Sequence, residues 1–110
     1  ARIGPSRLFL EALIQHDLGN AAESRKALDT LIAKHAGAWA YQIAEIHARR
    51  GERDRAFEWL ELAREHAAKK GSALQADTGM DDIKTDPLLR TLHGDPRWKP
   101  FLRKMNLPVD

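Results

Sequence analysis

Two glycines, Gly19 and Gly51, lie 32 positions apart and constrain this chain more than any other feature of its sequence. Each follows a segment in which apolar residues recur at helical spacing, and another such segment comes after it. Glycine commonly ends helices, because it adopts positive φ without steric cost. The spacing therefore predicts two helix pairs built on a similar plan.

End signals and apolar periodicity predict four helices, over residues 6–18, from 21 or 22 to 34, 38–50 and 54–70. Ser6 and Asp54 are the expected caps of the first and fourth helices, since short polar side chains accept hydrogen bonds from free backbone N–H groups. The third and fourth helices each end with two cations followed by a glycine, which suits the negative end of the helix dipole.

The C-terminal part of the chain contains two Asp-Pro pairs, Asp86-Pro87 and Asp95-Pro96. Because Asp is a good N-cap and Pro fits the first helical position, the pairs predict short helices over residues 87–93 and 97–105. Pro100 leaves two alternatives open. Either the last helix kinks there or it begins at that residue.

Ala and Leu dominate the apolar residues, which form 43% of the chain, and β-branched residues are few. This composition favours the all-α class. The net charge of +2 is too small to indicate nucleic-acid binding by itself, and the chain has no cysteine. The apolar runs are too short to span a membrane. A cytoplasmic protein is therefore expected.

Candidate chemical sites are weak. No two of the five histidines share the spacing of a metal site, and no nucleotide-binding or nucleophile motif is present. An acidic cluster could form a cation site, but no Glu closes such a loop, so a solvated linker is favoured. Its members are Asp77, Asp81, Asp82 and Asp86. We expect no enzymatic activity, no metal and no cofactor.

The basic ending of the chain has two interpretations. Arg97, Lys99, Arg103 and Lys104 alternate with aromatic residues, as in some nucleic-acid-binding segments. Trp98, Phe101, Leu102 and Met105, however, have the spacing of a buried helix face. We favour the second interpretation, in which this segment caps the end of a helical stack.

The second helix pair carries a recognisable series of small and apolar residues. The series is Ala40, Ile43, Ala44 and His47, then Gly51, Ala56, Leu60 and Ala63. This series resembles the tetratricopeptide repeat, with His47 where the family prefers Tyr. The first pair resembles a degenerate copy, with Ser24 in place of the usual Ala and Leu31 in place of a small residue.

This resemblance implies a short right-handed superhelix of antiparallel helix pairs with C-terminal capping helices. The expected single domain covers residues 1–110. Its parts are a degenerate repeat over 6–36, a second repeat over 38–70 and a capping segment over 72–110.

The tail resembles the end of certain bacterial signalling proteins. The stretch from Asp86 to Leu92, the sequence Asp95-Pro96-Arg97-Trp98 and residues 101–107 carry this likeness. In those proteins a tetratricopeptide array follows a nucleotide-cyclase or winged-helix domain. The likeness implies that the chain is the C-terminal part of a larger bacterial regulatory protein.

In tetratricopeptide arrays the first helix of each pair lines a concave groove that binds a protein or peptide. The residues that the resemblance places there are Tyr41, Gln42, Glu45 and Arg49, with Phe9, His16 and Asp17 from the first pair. A plain solvated face is the alternative. Tyr41 and Glu45 stand where chaperone-tail-binding members use Lys and Asn, so that ligand class is not expected.

Two repeats are fewer than the three usually needed for a stable stack. The sequence therefore predicts either further repeats upstream or a homodimer. The expected dimer contact consists of Leu8, Phe9, Leu13 and Leu28. A purely structural or oligomerisation role remains the alternative to partner binding.

Overall fold

The computed structural model describes residues 4–69 and 83–105, and every regular element in these two stretches is helical. The elements are α1 (Pro5–Asp17), α2 (Ala21–His35), α3 (Ala40–Arg49), α4 (Arg53–Lys69), a 3-10 helix (Pro87–Leu92) and α5 (Trp98–Lys104). The predicted all-α class is confirmed for this part of the chain. None of these helices is long and apolar enough to cross a membrane.

The two predicted helix pairs are present, since α1 packs against α2 and α3 packs against α4. Gly19 and Gly51 connect the members of each pair with φ of 83° and 80°, the left-handed region that favours glycine. Positions 32 residues apart are buried alike in the two pairs. The completely buried examples are Ala12 with Ala44, Ser24 with Ala56, and Leu28 with Leu60.

Ser6 and Asp54 do not serve as the N-caps that the sequence predicts. Helix α1 begins at Pro5, with Gly4 as its extended N-cap, so Ser6 lies inside the first turn. Proline fits there because its missing N–H would have no partner in any case. Helix α4 begins one residue before Asp54, and the backbone carbonyl of Glu52 accepts the hydrogen bond from the amide of Ala56 at 3.0 Å.

Helix α3 lies at the centre of the fold and contacts α1, α2, α4 and the 3-10 helix. Ile43 and Ile46 contribute to an apolar cluster with α1 and α2. Its other side joins a second cluster with α4 and the C-terminal elements, including Leu60, Leu89 and Phe101. Two cores therefore share one helix.

The C-terminal helices lie within one residue of their predicted bounds, but α5 begins at Trp98 with Arg97 rather than Asp95 as its N-cap. Asp86 caps the 3-10 helix, since its Oδ1 accepts a hydrogen bond from the amide of Leu88 at 2.9 Å. Pro100 is the third residue of α5, where the backbone N–H has no intrahelical partner. The helix consequently includes Pro100 without loss of a hydrogen bond, and neither predicted alternative applies.

Candidate interaction surface

The part of the predicted groove that belongs to α3 is covered by the chain's own C-terminal segment. Tyr41 and Glu45 are 4% and 8% exposed. The 3-10 helix packs over them, and the Thr91 hydroxyl donates a hydrogen bond to the carbonyl of Ala48 at 3.1 Å. These two groove residues are thus buried side chains in this structure, because the segment that follows α4 returns across their helix.

A hydrogen-bonded cluster joins α3 to this returning segment. The Tyr41 hydroxyl donates to Oδ2 of Asp86 at 2.6 Å, and Glu45 forms a hydrogen bond with the same carboxyl group. Burial, together with the hydrogen bond and the charge of Asp86, raises the pKa of Glu45 to about 10. Glu45 is therefore protonated at neutral pH, and its carboxylic O–H can donate to Asp86.

The part of the groove that belongs to α1 remains partly open. Phe9 and Leu13 are half-buried and pack at the edge of the first core cluster. The ring of Phe9 lies 6.4 Å from the ring of Trp39, centroid to centroid, at an angle of 49°. His16 is also half-buried, one turn beyond Leu13. The groove positions of α1 thus leave aromatic and aliphatic side chains partly exposed.

Two predicted groove residues, Asp17 and Arg49, pair with each other. Oδ1 of Asp17 lies 3.0 Å from Nη2 of Arg49, and both side chains are about half exposed. The pair connects the C-terminal ends of α1 and α3, which are the groove helices of the two pairs. Gln42, the remaining predicted groove residue, is half-buried on α3.

The outer face of α1 exposes large apolar side chains. Leu10, Ile14 and Leu18 are 53%, 51% and 66% exposed. Their spacing of four residues places them along one side of the helix. Leu8 and Leu28, by contrast, are buried between α1 and α2. Half of the predicted dimer contact is thus inside the first core, and the exposed apolar residues are different ones.

A polar network occupies the junction between the two helix pairs. The hydroxyl of Ser24, which is completely buried, donates to the carbonyl of Ala12 and accepts from Nη1 of Arg50, both at 2.7 Å. Nδ1 of His47 lies 2.8 Å from Oε1 of Glu52. Burial lowers the pKa of His47 despite this contact, so the imidazole is neutral at pH 7.

The basic ending is largely engaged in internal contacts. Arg97 pairs with Asp54 at 2.8 Å and with Asp95 at 2.9 Å, and its hydrogen bonds hold the pKa of Asp95 well below the ordinary value. Lys104 pairs with Glu61 at 2.8 Å. Except for Asp95, these residues line an open groove of about 660 Å³ between α4 and α5.

The aromatic residues of that ending do not form a stacking platform. Trp98 and Phe101 are buried in the second core cluster. Proteins that bind single-stranded nucleic acid stack its bases on exposed aromatic rings. The burial of Trp98 and Phe101 therefore does not favour such binding.

No group of three His, Cys, Asp or Glu side chains that could hold a metal ion occurs within residues 4–69 and 83–105. Three members of the acidic cluster considered above, Asp77, Asp81 and Asp82, lie outside these ranges. Its fourth member, Asp86, accepts hydrogen bonds from the amide of Leu88 and from the hydroxyl of Tyr41.

Comparisons with protein-family models, with curated proteins and with solved structures each returned no match to this chain.

Sequence reasoning missed two features of the surface. The role of Asp86 as a partner of Tyr41 could not be found, because 45 residues separate the two and only the folded chain brings them together. The exposed stripe of α1 did have a signal, namely apolar residues at positions 10, 14 and 18. That spacing describes a second apolar side on a helix whose first side is already buried by α2.

Proposed function

We propose that this chain is a helical-repeat interaction module of the tetratricopeptide type, which binds a protein or peptide partner. In this proposal it forms the C-terminal part of a larger bacterial regulatory protein and works in the cytoplasm. It has no catalytic role of its own. The superhelical arrangement and the division into two repeats and a capping segment belong to the same proposal.

The repeat assignment is supported by the equivalence of the two helix pairs. Alanines at positions 12 and 44 are completely buried, which permits close approach of helices in both pairs. Gly19 and Gly51 have nearly the same φ. Ser24, at the position where the family has Ala, is accommodated because its hydroxyl is hydrogen-bonded on both sides.

The observation that carries the interaction proposal is the contrast between the two ends of the fold. Helix α5 buries its apolar residues in the second core cluster. Helix α1, at the other end, leaves Leu10, Ile14 and Leu18 more than half exposed. A stripe of this kind is typical of a surface that packs against another helix. The half-buried Phe9 and Leu13 extend the apolar surface toward the predicted groove.

The test selects, from a library of displayed peptides, those that bind to the immobilised full chain. We expect the selected peptides to carry apolar residues at helical spacing. When they bind the isotope-labelled protein, the NMR chemical shifts of the α1 amides should change. The double variant Leu10→Gln/Ile14→Gln should bind about thirtyfold more weakly, since each of the two lost apolar contacts is worth roughly 1 kcal/mol. The matched control, Lys26→Gln/Lys34→Gln on the exposed side of α2, should bind as the unmodified chain does. Selected peptides whose shifts avoid α1 would contradict the proposal.

The exposed stripe also favours a second candidate, an oligomerisation element in which two copies pair through α1. Light scattering over a concentration series distinguishes the two roles. A dimer that Leu10→Gln/Ile14→Gln converts to a monomer supports self-association through this face. A monomer at all concentrations leaves α1 available to another protein.

A further inference from the structure

A second concavity lies between α2 and α4, and it differs in chemistry from the α1 face. Its volume is about 420 Å³. The residues that line it are Arg25, Ile32, His47, Glu52, Arg55 and Trp59. No residue of α1 is among them, so the two surfaces can be altered independently.

Two arginines at this pocket form only weak ion pairs within the chain. Glu52 is the one acid among its lining residues, and its Oε1 is already 2.8 Å from His47 and 3.3 Å from Nε of Arg50. Arg25 approaches the other oxygen only to 3.6 Å and is half exposed. That distance exceeds a good charge-assisted hydrogen bond. Arg25 can therefore turn toward an incoming carboxylate at small cost.

Arg55 is available in the same way from the opposite wall. It pairs with Glu58 at 3.3 Å, and both side chains are more than 60% exposed. Ion pairs with this exposure contribute little to stability. An incoming carboxylate therefore competes easily with Glu58. The pocket consequently offers one guanidinium from α2 and one from α4.

The remaining wall is apolar. Ile32 and Trp59 are half-buried and lie at the edge of the first core cluster. Leu62 follows Trp59 by three residues on the same side of α4 and is 47% exposed. A partly exposed Trp beside aliphatic residues is the usual anchor site for an apolar side chain at an interface.

We propose that this pocket binds an acidic peptide that carries an apolar side chain between two carboxylates. The apolar side chain lies against Ile32 and Trp59, and the carboxylates pair with Arg25 and Arg55. A nucleic-acid strand fits less well, because Trp59 is the one partly exposed aromatic side chain among the lining residues, whereas single strands stack successive bases on several rings. This site is additional to the α1 face and does not depend on the proposed function.

The experiment titrates the isotope-labelled full chain with three short synthetic peptides of the same length. One has a leucine between glutamates, one has glutamine in place of every glutamate, and one has lysine there. We expect the acidic peptide to shift the amides of α2 and α4 around the pocket and the indole N–H of Trp59. The glutamine peptide should bind about tenfold more weakly, and binding of the acidic peptide should weaken with salt.

A pair of variants completes the test. Arg25→Gln/Arg55→Gln should weaken binding of the acidic peptide about tenfold, as expected for two lost charge contacts of up to 1 kcal/mol each. The matched control, Arg90→Gln/Arg103→Gln, removes the same charge from exposed positions outside the pocket and should change little.

Three results would overturn the proposal. The first is an equal affinity for the acidic and glutamine peptides. The second is an equal loss of binding in the two double variants. The third is a single-stranded oligonucleotide that shifts the same residues at lower concentration than the acidic peptide does.

Discussion

At the scale of single residues, Glu45 has the most unusual environment of the described chain. It is buried beside Asp86, which accepts hydrogen bonds from Tyr41 and from the amide of Leu88. A second ionised carboxylate at this place would be repelled and poorly solvated, so the proton stays on Glu45. The contact between α3 and the C-terminal segment thus requires one protonated acid.

The stability of the protein should therefore depend on the charge state of Glu45. Its pKa is about 10 in the folded chain, against an ordinary value of 4.5. Since the folded pKa is the higher one, the stabilising contribution is complete below about pH 4.5 and is lost progressively as the pH rises toward 10. We expect the free energy of unfolding to fall across this range through Glu45.

Glu45→Gln tests this dependence, because the amide can donate to Asp86 as the protonated acid does. At pH 8 the variant should be more stable than the unmodified chain by at least about 1 kcal/mol, since one unit of pKa difference is worth roughly 1.4 kcal/mol. Denaturant unfolding at pH 5 and pH 8 measures the effect. Glu58→Gln, at an exposed position, is the control and should leave the pH dependence unchanged. A variant at Glu45 with the pH dependence of the unmodified chain would contradict the interpretation.

Ser24 is the second residue with a specific role. Replacement by Ala removes the hydrogen bonds to Ala12 and from Arg50, although Ala is the residue that the resemblance leads one to expect there. We expect Ser24→Ala to lower the free energy of unfolding by about 1–2 kcal/mol, because the two partners remain without it. Ser6→Ala, on the exposed side of α1, is the control for the same chemical change. Equal stabilities of the two variants would show that the buried hydroxyl contributes nothing.

At the scale of the helices, the sequence predicted the number and approximate place of the elements in the described ranges. Apolar periodicity and the two glycines were sufficient because they act locally. The predicted starts of α1, α3 and α4 are one or two residues away from the observed ones, which are Pro5, Ala40 and Arg53. Several neighbouring residues can each begin a helix, and the sequence alone does not show which of them does so.

The connection at Gly51 provides the test at this scale. Its φ of 80° is strained for any residue with a Cβ, although the space around it is open. Gly51→Ala should therefore destabilise the fold by about 1–2 kcal/mol through the backbone alone. Gly94→Ala is the matched control, because the space is equally open there and φ lies outside the left-handed region. Thermal unfolding of both variants measures the difference, and an unchanged Gly51→Ala midpoint would contradict the expectation.

The covering of α3 could not be predicted from local patterns. The tetratricopeptide resemblance implies that its groove positions face a partner, and Tyr41 and Glu45 are polar enough to suit such a surface. The structure places residues 86–92 against them instead. Contacts between residues more than 40 positions apart depend on the path of the whole chain, and single-sequence patterns do not carry that information.

At the scale of the whole molecule, the position of α3 in both apolar clusters should make the two helix pairs unfold together. Ile43 belongs to the first cluster and Ala44, the next residue, to the second. We expect one transition with the same midpoint by circular dichroism and by tryptophan fluorescence. Ile43→Ala should shift this single midpoint and lower stability by about 2–4 kcal/mol.

The tryptophans allow the two clusters to be followed separately. Trp39 borders the first cluster and Trp98 lies in the second. Trp59 packs against both clusters, so each variant also carries Trp59→Phe. Trp39→Phe/Trp59→Phe then reports on the second cluster through Trp98, and Trp98→Phe/Trp59→Phe reports on the first through Trp39. Coincident midpoints within each variant, by fluorescence and circular dichroism, support one cooperative unit. Separate midpoints would show that the pairs unfold independently.

The proton on Glu45 also affects the heat that is measured when the protein unfolds. A chain that unfolds near neutral pH must release the proton that Glu45 holds in the folded state, and the surrounding buffer must take it up. The apparent enthalpy of unfolding should therefore differ between buffers that have different heats of ionisation. The folded protein also carries one unit of positive charge more than the formal +2 at pH 7. The amino-acid composition by itself thus underestimates how basic the folded molecule is.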